Sequence, residues 1–466
     1  MRLEHLAGVG PLYDTAVSNG SSNFTLARLN GQWQRRLGDA GRLEARFGIG
    51  DSSNPSQSLR TEYDAVGGVR RTLDDTSRTR DRSYNATLKY SALLGAGHNF
   101  VAGVEGETTR RDESRTTLQN GVPLLAGFGG DIAASSTRLA AYAQDEWTVN
   151  PHWAAHAGLR WEGIATRGSV GDGVERDNRS GVWSPLLHAV WKPQPEGRDQ
   201  VRFSLTRSYR APPLANLVAR PAVSTRFPLP DGNQPTAPDR FGNPDLKPEL
   251  ATGLDVALER YLPMGGVLSA SLFHRRITNL IRNVLTPEAV PVPYTTAKRY
   301  VVQPQNVGGA ITQGIELEAK FRASAVLDGA PPVDLRANLA FYRSRVEGVP
   351  GPDNRLDQQP GMSANLGADY RLRGWPLTLG GNVAWVPGYD TRLSATQTAR
   401  QGRKLVVDAN ALWVFDPSLQ LRLTASNLTA ADYVTGGTVD TPAFRETART
   451  TARSYANWQL RLEMKL

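Results

Sequence analysis

The chain has 466 residues, of which 39% are hydrophobic, and its mean hydropathy is −0.41. No run approaches the roughly 18 consecutive apolar residues of a membrane-spanning helix, which excludes a helical membrane protein. The absence of cysteine excludes a disulfide framework, thiol catalysis and cysteine-based zinc sites. The net charge of +9 comes mostly from dispersed arginines, whereas nucleic-acid binders cluster their basic residues, so no nucleic-acid partner is expected.

The first residues of the chain lack the features of an export signal. Residues 1–17 contain one early arginine, but no apolar stretch and no small-residue cleavage site. We expect residues 1–23 to be irregular and residues 24–466 to form one β-structure domain.

From residue 24 onward, apolar residues recur at every second position in about seventeen segments, which predicts strands. Most of them run for ten residues or more, whereas ordinary strands average about five or six and a tilted membrane strand needs about 9–11. The predicted strands are 24–35, 41–50, 80–93, 98–110, 136–148, 153–167, 181–191, 199–208, 252–262, 266–281, 309–321, 333–347, 361–372, 376–387, 404–415, 419–428 and 454–466.

The connections between these strands alternate between short and long. The short ones are 37–41, 94–97, 149–152, 193–198, 263–266, 373–376 and 416–418, with a longer turn at 322–332. The long ones are polar and rich in Gly, Pro and Ser: 51–79, 111–135, 168–180, 209–251, 282–308, 348–360, 388–403 and 429–453. This alternation predicts an antiparallel up-and-down transmembrane β-barrel, with tight periplasmic turns and long external loops.

The last predicted strand has one apolar and one charged face. Trp458, Leu460, Leu462, Met464 and Leu466 share one parity, and every residue between them is polar. Because alternate side chains of a strand lie on opposite faces, this pattern is typical of lipid on one side and a polar lumen on the other. An edge strand of a soluble sheet is the alternative for this segment alone.

Tryptophans recur at a spacing that matches the height of a membrane. Trp153 and Trp161 are eight residues apart on one parity, and Trp183 and Trp191 repeat this spacing. Eight residues rise about 20 Å along the membrane normal at a tilt of ~40°, close to the height of the apolar band between two aromatic girdles. We expect the girdle tryptophans to be Trp153, Trp161, Trp183, Trp191, Trp375, Trp385 and Trp458.

The direction of the strands is inconsistent with a complete barrel. Counted from the short turns, the strands 24–35 and 454–466 both run toward the periplasm, so seventeen strands cannot close antiparallel. An open edge is not tolerated in lipid. We therefore expect either an odd number of strands upstream or a count that is wrong by one.

Several stretches resemble the C-terminal barrel of TonB-dependent outer-membrane receptors. They are SLTRSYRAPPLANL (204–217), NPDLKPELATGLDVALER (243–260), SLFHRRITNLI (271–281), NVGGAITQGIELEAKF (306–321), YAQDEWTVNPHWAAHAGLRWE (142–162) and LRLTASNLTAADY (421–433). The resemblance extends over most of the chain, and it implies an outer-membrane receptor and transporter rather than an enzyme.

The resemblance also implies parts that this chain lacks. Barrels of that family have twenty-two strands, an N-terminal plug domain and a short TonB-contacting box, and energy from the inner membrane drives uptake of scarce cargo. If the whole barrel has twenty-two strands, a count of seventeen leaves five missing. We find neither plug nor box, and a fragment of a longer receptor is the expectation. TonB is an expected partner only if a plug and box exist elsewhere. Leu466 departs from the aromatic residue that usually ends the family.

The residues that carry the best-matched motif have structural interpretations. Prolines end strand pairing and stiffen the two ends of the longest loop. Lys247 and Glu249 are candidates for an ion pair across the end of that loop. We assign the following motif residues to the fold: Arg210, Ala211, Pro212, Asn243, Pro244, Leu246, Lys247, Pro248 and Glu249.

No catalytic, cofactor or metal site is expected. His152 and His156 share a strand face at a spacing that would suit a metal, but no third ligand accompanies them. The sequence contains no HExxH, no GxSxG and no phosphate-cradling glycine loop.

The 209–251 loop is the best candidate for ligand contacts. Its arginines and aromatic residues suit an anionic iron chelate bearing catechol or hydroxamate groups, through charge and ring stacking. The alternative is that these arginines face lipopolysaccharide or solvent. The candidates are Tyr209, Arg210, Arg220, Arg226, Phe227 and Arg240.

Three functions remain open at this point. The first is a partial, monomeric receptor in the outer membrane of a Gram-negative cell, in contact with lipid and lipopolysaccharide, whose complete form imports a ferric siderophore or similar nutrient. The second is a passive pore without a plug. The third is a soluble all-β binding protein or adhesin.

Overall fold

The computed structural model of the chain describes residues 2–5, 13–124, 131–169, 175–218, 222–224, 232–442 and 444–465. Within these residues the chain is almost entirely β-structure. Its strands are β1 Arg2–His5, β2 Thr15–Ser22, β3 Thr25–Leu37, β4 Gly41–Tyr63, β5 Val69–Leu94, β6 His98–Gln119, β7 Val122–Pro123, β8 Asp131–Asn150, β9 Trp153–Ser169, β10 Glu175–Trp191, β11 Gln200–Arg210, β12 Asp239–Arg240, β13 Glu249–Tyr261, β14 Val267–Thr278, β15 Ile281–Leu285, β16 Val290–Val292, β17 Thr295–Arg299, β18 Val301–Asn306, β19 Ala310–Arg322, β20 Val333–Val346, β21 Met362–Arg371, β22 Leu377–Val386, β23 Tyr389–Arg392, β24 Gln397–Gln401, β25 Lys404–Asp416, β26 Leu419–Ser426, β27 Tyr433–Asp440, β28 Arg445–Ala452 and β29 Asn457–Met464.

The only α-helix in the described part is α1, Leu214–Leu217, and three short 3₁₀ turns occupy Gly95–Gly97, Pro263–Gly265 and Ala323–Ala325. No helix among the described residues has the length and apolar character needed to cross a membrane.

Twenty of the strands form one antiparallel sheet. Counting β2 and β3 as one interrupted strand, and setting aside the four-residue β1 and two-residue β7, seventeen strands remain in it. Each of the seventeen corresponds to one predicted segment, and each pairs with the next in chain order, from the β3–β4 hairpin to the β26–β29 pair. The predicted all-β, antiparallel up-and-down architecture is confirmed. We call these seventeen strands the wall. Its two ends are the short-turn end and the long-loop end.

The N-terminal part differs from the prediction. The segment 1–23, expected to be irregular, contains β1 and β2. β2 continues the line of β3 against the far half of β4, where Thr15 lies opposite Tyr63, and β1 pairs antiparallel with β2. β1 therefore runs in the direction opposite to β2 and β3, and within the described residues no pairing joins it to β29. Leu466, whose side chain was expected to depart from the family pattern, lies outside the described residues.

Three of the predicted long loops are mostly strand. Residues 51–79 belong almost wholly to β4 and β5, and 111–135 and 168–180 are shortened in the same way by the strands that flank them. Cross-strand ion pairs stabilise these extensions, among them Arg111–Asp81 at 2.7 Å and Arg115–Asp75 at 2.5 Å. The prediction was wrong here because a strand whose faces are both in water can be polar at every position.

The two faces of the sheet differ in chemistry. On the apolar face, four tryptophans form two pairs at two heights along the strands. Trp183 is directly opposite Trp161, and Trp191 is directly opposite Trp153, with ring centroids of the second pair 6.4 Å apart. The other face is polar: a cavity of about 430 Å³ is lined by side chains that include Arg202, Ser269, Ser271, Glu316, Glu318 and Asn338. Successive residues of each strand therefore serve two different environments.

The most tightly buried residues lie at the long-loop end. One apolar cluster joins Ile132 and Ala134 of β8 to Leu217, Val218 and Leu246 of the 209–251 connection. A second joins Leu280, Ala310 and Val346. Three small sheets lie in the same connections among the described residues: β12–β18–β15, β16–β17 and β23–β24–β27–β28. The long connections from residue 209 onward therefore form a packed layer at the long-loop end, which we call the loop layer.

A fully buried ion pair anchors this layer. Arg299 and Asp239 are both 0% exposed, and the Arg299 guanidinium donates to both carboxylate oxygens, at 2.5 and 2.9 Å. The Ser224 backbone N–H donates to the same carboxylate at 2.7 Å, and so does the Tyr294 hydroxyl. Burial, together with that hydrogen bond, raises the pKa of Tyr294 above its usual range. The pair joins the 209–251 and 282–308 connections.

We predict that Asp239→Ala destabilises the loop layer, because it leaves the Arg299 guanidinium buried and uncompensated, at a cost of about 3–5 kcal/mol. Hydrogen–deuterium exchange would show this as faster exchange in β12, β17 and β18. The control is Asp334→Ala, which removes a similar two-point pair with Arg322 at the short-turn end, where both side chains are about half exposed. Such a pair contributes about 0–1 kcal/mol. Equal effects of the two substitutions would contradict the anchoring role.

Candidate functional site

The candidate ligand residues do not form one cluster. Tyr209 and Arg210 end β11 at the foot of the long-loop end, whereas Arg240 is an exposed residue of β12 within the loop layer. No hydrogen bond or ion pair joins Arg240 to either residue in the part of the chain that the structure describes. Arg220, Arg226 and Phe227 lie outside the described residues.

The Tyr209 hydroxyl is engaged with the wall. Its nearest charged neighbour there is the buried carboxylate of Glu162 in β9. Glu162 also accepts from Arg138 at 2.8 Å and from Arg160 at 3.0 Å. Both arginines have a second carboxylate partner: Arg138 donates to Glu107 at 2.7 Å and Arg160 donates to Glu105 at 2.6 Å. Tyr209 therefore lies beside an ion-pair network that joins β6, β8 and β9.

Arg210 is paired with Glu249 rather than free. Their charged groups are 3.6 Å apart, and the Arg210 side chain remains 75% exposed. Glu249 also accepts from the Ile281 backbone N–H at 2.7 Å. The predicted Lys247–Glu249 pair is wrong: the Lys247 side chain is exposed, and its backbone bonds instead to the Asn306 amide, donating and accepting at 2.9 Å.

The motif residues between Asn243 and Glu249 form a strap that contacts its neighbours mainly through backbone groups. Asn178 of β10 donates to the carbonyls of Pro244 and Leu246, at 2.6 and 3.0 Å. Asn243 donates to the Pro304 carbonyl at 2.9 Å, and Leu246 is 1% exposed in the first apolar cluster. The strap joins the 209–251 connection to β10 and to the 282–308 connection. At the other end of this connection, Ala211 and Pro212 follow the last residue of β11.

Arg282 of β15 joins three long connections. Its guanidinium, 3% exposed, donates to the Arg355 carbonyl at 2.9 Å and to the Leu393 carbonyl at 3.1 Å, and it pairs with the Asp357 carboxylate. Residues 355–357 belong to the 348–360 connection, and Leu393 belongs to the 388–403 connection. One buried arginine therefore holds the backbones of two neighbouring connections against the connection 282–308, to which it belongs.

The last two connections share a sheet, which we call the loop sheet and which comprises β23, β24, β27 and β28. It contacts the earlier loops at several points, one of which is the Arg392 backbone N–H, donating to the Asp353 carbonyl at 2.7 Å. The Thr236 hydroxyl donates to the Glu446 carboxylate, and the rings of Tyr300 and Phe444 meet edge to face with centroids 6.5 Å apart. The five connections from 209 to 453 are therefore linked to one another by direct contacts.

The histidine rings that meet in space are those of His156 and His188, rather than the His152–His156 pair noted in the sequence. His152 lies in a short turn, where its ring bonds to the Lys192 carbonyl at 2.8 Å. His156 is directly opposite His188, with ring centroids 5.4 Å apart, and His188 hydrogen-bonds with the Ser204 hydroxyl at 2.7 Å. Within the described ranges no group of three or more His, Cys, Asp or Glu residues is placed to hold a metal ion.

Sequence reasoning missed the residues that hold the loop layer together. Asp239 and Arg299 are sixty positions apart, and no local pattern marks them as partners. Arg282 did carry a signal, since it is a single cation flanked by apolar residues in the stretch from Leu280 to Leu285. An arginine in such a position is expected to be paired when it is buried, and Arg282 is paired through its two terminal nitrogens.

The chain has relatives among outer-membrane proteins. The profile of the family described as "TonB dependent receptor-like, beta-barrel" matches residues 6–428. The "Iron-regulated outer membrane virulence protein" of Vibrio cholerae serotype O1 is 24% identical over 321 residues, which are 65% of this chain and 41% of that protein. The chain thus spans about two fifths of the length of this relative.

Solved structures of the same architecture resemble the chain at low sequence identity. The copper transporter OprC superposes with a TM-score of 0.67 at 16% identity, covering 89% of this chain and 61% of that one. The ferric-catecholate import receptor Fiu from E. coli K12 gives 0.63 at 12% identity, covering 95% and 64%. The ferric citrate transporter FecA gives 0.58 at 14% identity, covering 91% and 62%. The predicted barrel class and outer-membrane location are confirmed, and the chain belongs to the family of TonB-dependent receptor-like β-barrels.

Proposed function

We propose that the chain is the barrel part of a receptor that takes up a ferric siderophore or a similar scarce, anionic nutrient across the outer membrane. The observation that carries this proposal is the linked layer of five connections, 209–453, at one end of the barrel. Loops that only limit a pore have no need of buried ion pairs between them, whereas a ligand site needs its contact residues held in place. Relatives described as iron-regulated and ferric-import proteins support iron as the cargo.

The loop chemistry supports an anionic ligand. Arg210 and Arg240 are exposed at or above the ends of the wall strands, and aromatic rings such as Tyr300 and Phe444 lie in the same layer. Arginine binds carboxylate and catecholate oxygens through paired donors and stacks on flat rings. We propose that Arg220, Arg226 and Phe227 belong to the same ligand-contacting surface, and that the receptor works as a monomer without catalysing a reaction.

The proposed uptake function also implies partners for the complete protein. Import against a gradient requires energy, so we propose that a plug and the TonB complex act with this barrel. In the membrane, the tryptophans at two levels, Trp153 with Trp191 and Trp161 with Trp183, are proposed to mark the two lipid interfaces. Trp375, Trp385 and Trp458 belong to the same proposed girdles, and lipopolysaccharide borders the long-loop end.

The assignment of faces predicts that arginine substitutions at two neighbouring residues of β14 destabilise the barrel to very different extents. Leu272 lies on the apolar face and is 52% exposed, whereas Ser271 lines the polar cavity opposite Glu316. Leu272→Arg should destabilise the barrel in phospholipid vesicles by about 2–4 kcal/mol near the bilayer midplane. Ser271→Arg should cost far less, since the new cation meets a carboxylate. Reversible urea unfolding measures both, and a larger cost for Ser271→Arg would reverse the assignment.

The proposed cargo predicts saturable binding of a ferric chelate. Tryptophan fluorescence of the detergent-solubilised chain should be quenched by a ferric tris-catecholate or a ferric tris-hydroxamate, and not by the iron-free chelators. Single-channel recording supplies the contrast, because a plugless pore would pass a steady, large current. Absence of binding to every ferric probe, together with such a current, would replace the receptor with the pore.

Arg282 is predicted to support ligand binding without touching the ligand. Arg282→Met removes its donors to the Arg355 and Leu393 carbonyls, so exchange should accelerate around 353–357 and 391–393, and affinity for the ferric probe should fall several-fold. The control is Arg345→Met, which removes an exposed arginine near the end of β20. If the two variants bind and exchange alike, the loops do not depend on Arg282.

A further inference from the structure

The loop sheet carries two arginines on either side of a glycine. Arg400 of β24 lies directly opposite Gly436 of β27, and Gly436 lies directly opposite Arg449 of β28. Residues opposite one another in a sheet point to the same face, so the two arginine side chains flank the bare backbone of the glycine. At a strand spacing of about 4.8 Å, their Cα atoms are roughly 10 Å apart.

A groove of about 580 Å³ opens on this face. Its lining contains the cations Arg400, Arg445 and Arg449 and the hydroxyls of Thr438 and Thr447, and it contains no carboxylate. Asp440 is 3.9 Å from Arg445. Within the described ranges Arg400 and Arg449 have no ion-pair partner, and both are exposed.

Gly436 keeps the floor of this groove open. A Cβ added to it would lie 3.9 Å from the Arg400 Cβ and 3.1 Å from the Ala448 carbonyl oxygen, so a larger side chain would fill the space between the arginines. Gly437 provides a comparison, because its backbone also lines the groove. As the next residue of the strand it directs an added Cβ to the opposite face, where that Cβ meets nothing within 4 Å.

Like charges held together in one groove attract a counter-ion. A phosphate group has up to two charges and three terminal oxygens, so it accepts from two guanidinium groups at once, with oxygen left for a hydroxyl. A carboxylate has one charge and two oxygens, and one arginine satisfies it. We propose that this groove binds a phosphate group, presented either by lipopolysaccharide or by a small phosphorylated solute. This site is separate from the ferric cargo of the proposed function and does not depend on it.

Binding of two probes to the detergent-solubilised chain tests the proposal: inorganic pyrophosphate, measured by calorimetry, and lipopolysaccharide with its dephosphorylated form, measured by pull-down. Arg400→Gln and Arg449→Gln should each weaken binding about tenfold or more, since each removes charge-assisted hydrogen bonds. Arg453→Gln is the control, because it removes the same charge just beyond the end of β28, outside the groove. Heat-modifiable migration on gels verifies that each variant is folded.

A second pair of variants tests the shape of the groove. Gly436→Val should reduce binding as strongly as the arginine substitutions, and Gly437→Val should leave it unchanged. Binding of pyrophosphate assigns a solute, and binding of phosphorylated lipopolysaccharide alone assigns the lipid; both support the phosphate site. Any of three results would overturn the phosphate site. Arg449→Gln and Arg453→Gln could lose the same amount of affinity. Dephosphorylated lipopolysaccharide could bind as well as the phosphorylated form, or neither probe could bind. Each of these outcomes can be judged whether or not the chain binds ferric chelates.

Discussion

The structure depends on the antiparallel backbone ladder that links strand to strand from β3 to β29. In hydrocarbon no water is available for peptide groups, so each N–H and C=O of a spanning strand must bond to a neighbouring strand. Once the ladder is formed, side chains alternate between two solvents, and a strand needs apolar residues only at every second position. This explains how a chain with only 39% hydrophobic residues belongs to a membrane family.

The long-loop end is stabilised differently. Its connections lie outside the lipid, where water competes for every polar group. They are held by small apolar clusters and by buried arginines that donate to carboxylate and carbonyl oxygens. Arg299 and Arg282 each join segments far apart in the chain, and the strap from Asn243 to Glu249 does so through amide side chains and backbone. Loops linked in this way support the receptor function that we propose.

The sequence predicted the wall well and the loop layer poorly, for physical reasons. Period-two alternation between lipid and lumen is a local signal, so β13, β14 and β19–β22 were located within a few residues. The upper halves of β4, β5 and β6 were missed, because strands with water on both faces show no alternation. Partners such as Asp239 and Arg299, or Arg400 and Arg449, are set by how the loops pack, and no spacing along the chain reveals them. Lys247 and Glu249 are close in sequence, yet Glu249 pairs with Arg210.

The central claim is that alternate residues of the wall strands face hydrocarbon and a polar lumen. Since the chain has no cysteine, single cysteines placed from Leu335 to Tyr342 in β20 can each be spin-labelled, and their collision rates with oxygen and with a water-soluble nickel chelate measured in bilayers. The account predicts period two: labels at 335, 337, 339 and 341 meet oxygen, and labels at 336, 338, 340 and 342 meet the chelate. Uniform accessibility, or a period of 3.6, would contradict it.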